Sequence, residues 1–216
     1  MRKLAPSIVM LLTAPLLAQT TQPAAQNQPT SSEVVKKIVQ AAGGDVWPSV
    51  KRIQFTFNVE DDGKIIVSRR HDWDLRAGVD VVSSGGKTIT VPLQLPPDAA
   101  KEGFSWWTND SYWLLMPLKL ADAGANVEQI AGATGLPMYR LTFGKVGLTP
   151  GDQYDLTLDP AGERVTHWMY RPNDKTALGF TWEDYQDFNG LMLSTNHKSD
   201  DGKRRIFFTP LAVERD

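Results

Sequence analysis

Hydrophobic and polar positions alternate along most of this chain with the period of a β-strand. From Lys51 to Glu60, Ile53, Phe55, Phe57 and Val59 fall on one face and Arg52, Gln54, Thr56 and Asn58 on the other. Asp61-Asp62-Gly63-Lys64 reads as a hairpin turn, and a return strand runs to about Asp74. Val79 to Ser83 and Lys87 to Val91 flank Gly85-Gly86, a second hairpin signal. The C-terminal half repeats the alternation in Met138–Val146, Gln153–Asp159, Arg164–Arg171, Ala177–Tyr185, Leu191–His197 and Arg204–Val213. Turns at Pro160-Ala161-Gly162-Glu163, Asn189-Gly190 and Asp200-Asp201-Gly202-Lys203 punctuate the last of these. About ten strands with short turns predict a mainly β (α+β) fold, a curved antiparallel sheet or incomplete β-barrel.

One segment has helical spacing instead. Val34, Val35, Ile38, Val39 and Ala42 form a single stripe, Thr30 and Glu33 make a capping box, and Gly43-Gly44 supplies the stop. An amphipathic helix over Ser31–Ala42 is expected to cover the open face of the sheet. Pro92–Gly103 reads as a loop. Ser111–Ala121 is too apolar for exposed chain, but Pro117 interrupts it, so a short helix or turn followed by extended chain is expected. Ala123–Pro137 is small and polar and reads as a surface excursion.

The N-terminus changes the picture of where the domain works. Arg2 and Lys3 precede an uncharged apolar run from Ile8 to Ala18, the layout of a secretory signal peptide, with the cut after Ala18 or as late as Ala25. Residues 19–30 then form a flexible lead-in, and 31–216 a single β domain. Losing Arg2 and Lys3 with the leader takes the formal charge from −2 to −4. A mildly acidic chain without basic clusters argues against nucleic acid as a partner. No later run is long enough to span a membrane. There is no cysteine, which excludes disulfides, thiol catalysis, zinc–thiolate sites and an acylated N-terminal cysteine.

Catalytic motifs are not found. Gly-x-Ser-x-Gly, His-Glu-x-x-His and a phosphate-cradling glycine loop are all missing. His71, with Asp72 or Asp74 nearby, lacks diagnostic ligand spacing, and alternation puts His71 and Asp72 on opposite faces of a strand. His71, His167 and His197 are expected to be solvated. No metal and no cofactor is expected. The unusual feature is the aromatic load, 7 Trp, 8 Phe and 5 Tyr, most of it on strands. Part of that load reads as core, and part as the lining of a cavity for an apolar ligand.

Three stretches resemble a known family. They are Gly43-Gly44-Asp45-Val46-Trp47-Pro48-Ser49-Val50-Lys51-Arg52-Ile53 after the helix; Asn109-Asp110-Ser111-Tyr112-Trp113-Leu114-Leu115-Met116-Pro117-Leu118-Lys119-Leu120; and Tyr154-Asp155-Leu156-Thr157-Leu158-Asp159-Pro160, followed by Trp182-Glu183-Asp184-Tyr185 and Asn189-Gly190-Leu191-Met192-Leu193. In this order they resemble the periplasmic lipoprotein-carrier superfamily (LolA/LolB-like) and its secreted relatives. The resemblance implies an incomplete barrel around an apolar cavity with a helical lid. It also implies a non-catalytic periplasmic or secreted carrier of an acyl chain, lipid or acylated protein, monomeric and in passing contact with membrane proteins. Its implied ligand-binding residues are the inward strand aromatics Phe55, Phe57, Trp73, Tyr139, Phe143, Trp168, Tyr170, Phe180 and Trp182, with Tyr112, Trp113, Leu115 and Met116 in the lid-like segment. The carriers' specific arginine contact has no match in this chain. Two other readings stand beside this one: a cell-envelope interaction module without a cavity, and a hydrolase of sugars or esters using His71, Asp72, Asp74 or Glu183.

Overall fold

A computed structural model describes residues 31–132, 135–143, 151–172 and 176–216. The signal peptide and lead-in lie outside the described residues, as do residues 144–146 of the strand expected over Met138–Val146. The expected helix forms as α1, Ser31–Ala41, with Val34 and Ile38 buried. It ends where the sequence stops it: Gly43 has φ 92°, and a Cβ there would meet the carbonyl oxygen of Gly190 at 2.2 Å. Only glycine can turn the chain against that strand end.

A seven-stranded antiparallel sheet follows from the first alternating segments. It contains β1 (Val50–Asp61), β2 (Lys64–Asp74), β3 (Val79–Ser84) and β4 (Lys87–Pro92). Much later in the chain come β10 (Glu183–Phe188), β11 (Leu191–Lys198) and β12 (Arg204–Arg215), and the spatial order is β10-β11-β12-β1-β2-β3-β4. The register sets Phe55 opposite His71 and Phe57 opposite Arg69, so the inward face of β1 continues into the inward face of β2. A second sheet, of five strands, has the order β5 (Ala125–Ile130), β6 (Met138–Phe143), β7 (Gln153–Leu158), β8 (Val165–Arg171) and β9 (Leu178–Thr181). The two sheets meet at one corner. There Phe180 bridges Ser199, the Lys198 amide donates to Thr181 Oγ1 (3.0 Å) and the Asp200 amide to the Gly179 carbonyl (3.0 Å). The result is a mainly antiparallel β fold, curved and not closed into a barrel.

Four expectations are corrected. Pro92–Gly103 is not all loop and Ser111–Ala121 does not return to extended chain: both contribute to one helix, α2, Lys101–Lys119, with Pro117 in its last turn. There it supplies no N–H for the Trp113 carbonyl and its ring crowds that carbonyl, which is why the sequence reads as an interruption. Ala123–Pro137 contains strand β5. Ala177–Tyr185 breaks at Trp182 into β9 and β10, which lie in different sheets, and Asp184 beyond the break has φ 53°. Among the described residues the strands therefore number twelve.

The main core gathers Ile53, Phe55, Phe57, Trp73, Leu191, Leu193, Ile206 and Phe208 from the first sheet. Tyr139, Leu141, Leu156, Leu158, Val165 and Trp168 come from the second, and Leu114, Leu115 and Met116 from α2. Gly103 lets the start of α2 lie against β4, since a Cβ there would stand 2.7 Å from Val91 Cγ2.

Candidate functional site

A cavity of about 630 Å³ lies between the two sheets and α2. That is within the size range of small-molecule sites. From α2 its wall takes Ser105, Thr108, Asn109, Tyr112 and Trp113, residues spaced to share one helical face. The first sheet contributes Phe57, Val59, Arg69, Arg204 and Ile206; the second contributes Phe143, Tyr154, Trp168, Tyr170, Leu178 and Phe180. Lys119 at the end of α2, with Asp122 and Ala123 just beyond it, completes the wall.

The aromatic part of the wall is a contiguous stack. Trp113 meets Trp168 edge-on at 4.4 Å and Phe180 at 4.9 Å, while Tyr154 lies 4.9 Å from Trp168 and 5.1 Å from Tyr170. Tyr112 touches Phe143, Tyr154 and Trp168. Burial pushes the Tyr112 and Tyr154 hydroxyls far above their ordinary range, so both are neutral. Tyr112 Oη and Trp168 Nε1 are buried without a hydrogen-bond partner among the described residues.

The opposite part of the wall is anchored by charge. Arg69 on β2 grips Asp110 of α2 through two parallel bonds, Nε to Oδ2 at 2.7 Å and Nη2 to Oδ1 at 2.6 Å. Asp110 also accepts from Asn109 Nδ2 (2.8 Å) and from His71 Nε2 (3.0 Å). The other ring nitrogen of His71, Nδ1, lies 2.8 Å from Asp80 Oδ2. A carboxyl group thus stands at each ring nitrogen, an arrangement that favours the doubly protonated imidazolium. Burial alone would lower its pKa, but the bonds to Asp110 and Asp80 outweigh burial and raise it. His71, Asp80 and Asp110 are fully buried. The four-residue chain Asp80–His71–Asp110–Arg69 balances its charges, which is what makes burying them tolerable.

His197 behaves in the opposite way. It is fully enclosed by Trp113, Trp182 and Phe208, its Nδ1 donates to the Thr181 carbonyl (3.1 Å), and Nε2 has no partner. Burial pushes its pKa down to about 3, so it is neutral. The expectation of solvated histidines is thus corrected for His71 and His197. His167 is partly exposed and pairs with Asp200.

The residues expected in a ligand cavity divide. Phe57, Tyr112, Trp113, Phe143, Trp168, Tyr170 and Phe180 line it. Phe55, Trp73, Leu115, Met116, Tyr139 and Trp182 are buried in the core and are not part of the wall. Phe55 stacks on His71, Trp73 packs on Trp47 and Trp107, and Trp182 packs on Trp168. The sequence reading missed Arg69, Asp110 and Asp80. The available signal was strand parity, which places Arg69 on the same face as His71 and Trp73. The hydrolase constellation does not assemble. Asp72 faces away from His71 and binds Arg52 (2.5 Å), Asp74 caps the amide of Ala77 (2.8 Å), and Glu183 pairs with Lys198 (2.8 Å). Among the described residues no group of three or more His, Cys, Asp or Glu is placed to hold a metal ion, and no helix is long and apolar enough to cross a membrane.

No family model matches the chain, and no curated protein matches it. Solved structures do. A DUF1329 family protein from Desulfovibrio piger aligns with 9% identity over 85% of this chain and 93% of its own, at a TM-score of 0.46. A LolA superfamily protein from Nitrosomonas europaea aligns with 8% identity over 88% of this chain and 95% of its own, also at 0.46.

Proposed function

We propose that this chain is an exported, non-catalytic binder or carrier of an amphiphile with an acyl or alkyl chain, held in the cavity between the two sheets and α2. One observation carries the reading: a cavity of about 630 Å³ whose wall, among the described residues, carries eight aromatic side chains drawn from both sheets and α2. Rings that could have packed into a closed core instead surround open space. Each methylene moved from water into such a space gains about 0.8 kcal/mol, so a chain of about ten carbons supplies affinity without any reaction. The leader expected at residues 1–18 would place this activity in the periplasm or outside the cell.

Native mass spectrometry of the purified mature protein, before and after delipidation, tests the proposal, together with titration of a fluorescent acyl probe. An acyl-chain adduct, or saturable binding of the probe to the delipidated protein, is expected. A folded protein that carries no adduct and binds no probe would refute it. Such a result would favour an envelope interaction module.

A further inference from the structure

The cavity has two chemically different sides, and this difference specifies the head of the ligand. Resting on the carrier reading above, we propose that Arg69 is a head-group site for a carboxylate, so that the preferred occupant is an unesterified fatty acid or a similar long-chain monocarboxylate.

Among the described residues three cations line the cavity, and they are not equivalent. Lys119 sits 3.6 Å from Asp122 with a quarter of its side chain exposed, and Arg204 sits 3.4 Å from Asp61 with 44% exposed. Water and their own partners screen both. The Arg69 side chain is only 15% exposed. Its Nε and Nη2 are committed to Asp110, and its guanidinium lies between the rings of Phe57 (5.0 Å) and Trp106 (5.6 Å). Nη1 has no hydrogen-bond partner among the described residues, on a side chain that forms part of the cavity wall. Arg69 therefore holds one edge fixed by Asp110 and one edge unspent, with little side-chain entropy left to lose on binding.

Asp110 cannot compete for that second edge. It already accepts four bonds, from Arg69 twice, from His71 and from Asn109, which fills its capacity. Polar Thr108 and Asn109 neighbour the position on α2. The ring wall of Trp113, Trp168 and Phe180 is built from α2 and the second sheet, across from the strand that carries Arg69. A ligand with one anionic end and one apolar end matches this polarity. A single negative charge fits better than two, because Asp122 also lines this space and would repel a dianion.

The test compares heads on one chain length: dodecanoate, methyl dodecanoate, dodecanol and dodecyl phosphate, each displacing the same fluorescent acyl probe from the delipidated wild-type protein. Dodecanoate is expected to bind about tenfold or more tighter than the ester and the alcohol, the scale of a charge-assisted hydrogen bond. Arg69→Met should reduce that ratio to near one; the ratio is taken within the variant, so any loosening of α2 weakens all four heads alike. If the substitution prevents folding, the wild-type ratio still decides. Equal binding of acid, ester and alcohol would overturn the head-group site and leave the carrier reading standing. Tighter binding of the phosphate would overturn the carboxylate assignment. If none of the four displaces the probe, the head-group site fails; if the probe itself does not bind, both readings fail.

Discussion

Replacing His197 with glutamine should make the protein more acid-resistant relative to wild type, and the size of the effect follows from burial. His197 is fully buried with a single hydrogen bond, to the Thr181 carbonyl, and burial lowers its pKa from 6.5 to about 3. Between those values the unfolded chain binds a proton that the folded chain refuses. Stability from this group is therefore complete above pH 6.5 and is lost as the pH falls toward 3. Each pH unit inside that window corresponds to about 1.4 kcal/mol. Going from pH 7.5 to pH 5.0 crosses about one and a half units of it, or roughly 2 kcal/mol.

The lower limit of pH 5.0 keeps the carboxylates out of the measurement. Asp72, Asp155 and Glu183 are held below their ordinary values by Arg52, by Arg140 with Arg171, and by Lys198, and they lose stability only at lower pH. His71 titrates with the opposite sign, but it is present in both proteins and cancels in the difference. Urea unfolding of wild type and His197→Gln at the two pH values gives four free energies. The gap between the proteins should shift toward the variant by about 2 kcal/mol at the lower pH. Glutamine retains a donor for the Thr181 carbonyl, so the gap at pH 7.5 should be small. A pH-independent gap would show that the folded state protonates His197 readily, and the account of a dry aromatic enclosure beside the cavity would be wrong.

Three further outcomes follow from the anchoring of α2. Asp110→Ala leaves Arg69 and His71 as buried cations without their shared anion and should cost about 3–5 kcal/mol in chemical denaturation; a loss below 1 kcal/mol would contradict the buried network. His71 has a raised pKa, so its contribution is complete below pH 6.5 and is lost as the pH rises through its folded value. Amide exchange around Asp110, corrected for intrinsic base catalysis, should therefore lose protection at alkaline pH while the strands keep theirs. Gly103→Ala would ordinarily stabilise a helix by about 1 kcal/mol. Here its Cβ meets Val91 and Ile89 at 2.7 and 3.0 Å, so a net loss of about 1–2 kcal/mol and a lower melting temperature are expected.

The strands were legible because each buries one face. Ile53, Phe55 and Phe57 alternate with Arg52, Gln54 and Thr56, and the structure buries the first set. Helix α2 was not legible, and the reason is physical. Its C-terminal half is enclosed on all sides, so Leu114-Leu115-Met116-Pro117-Leu118 is a continuous apolar run with no 3.6-residue signal. Its N-terminal half begins after a proline-rich stretch and carries Gly103, which reads as a breaker until the close contact with β4 is known. The cavity was legible only in part for a related reason. Hydrophobicity marks Trp73, Tyr139 and Trp182 as buried, but whether a buried ring meets another ring or open space depends on which element lies opposite. The histidines were misread because their partners, Asp80 and Asp110 for His71 and the Thr181 carbonyl for His197, are brought together only by the fold.

Helix α2 connects the fold to the proposed binding. Gly103, Asp110 and Leu114 lie along one side of it, and Ser105, Thr108, Asn109 and Tyr112 along the other. The first side is fixed to the seven-stranded sheet by the approach of Gly103 to β4 and by the grip of Arg69 and His71 on Asp110. With that side fixed, the helix cannot move across to fill the space on its other side, and the aromatic wall of the second sheet is left facing a void. An unfilled apolar space lowers stability, because its lining forgoes packing contacts. The buried charge chain of Asp80, His71, Asp110 and Arg69 holds the helix in this position. The same arginine that secures the helix presents its remaining edge at the cavity wall. Anchoring and ligand recognition are therefore coupled through Arg69, so a bound carboxylate should add to the forces holding α2 in place. Protection of α2 amides should then rise with dodecanoate and stay unchanged with dodecanol at equal occupancy, an outcome that a purely hydrophobic cavity would not produce.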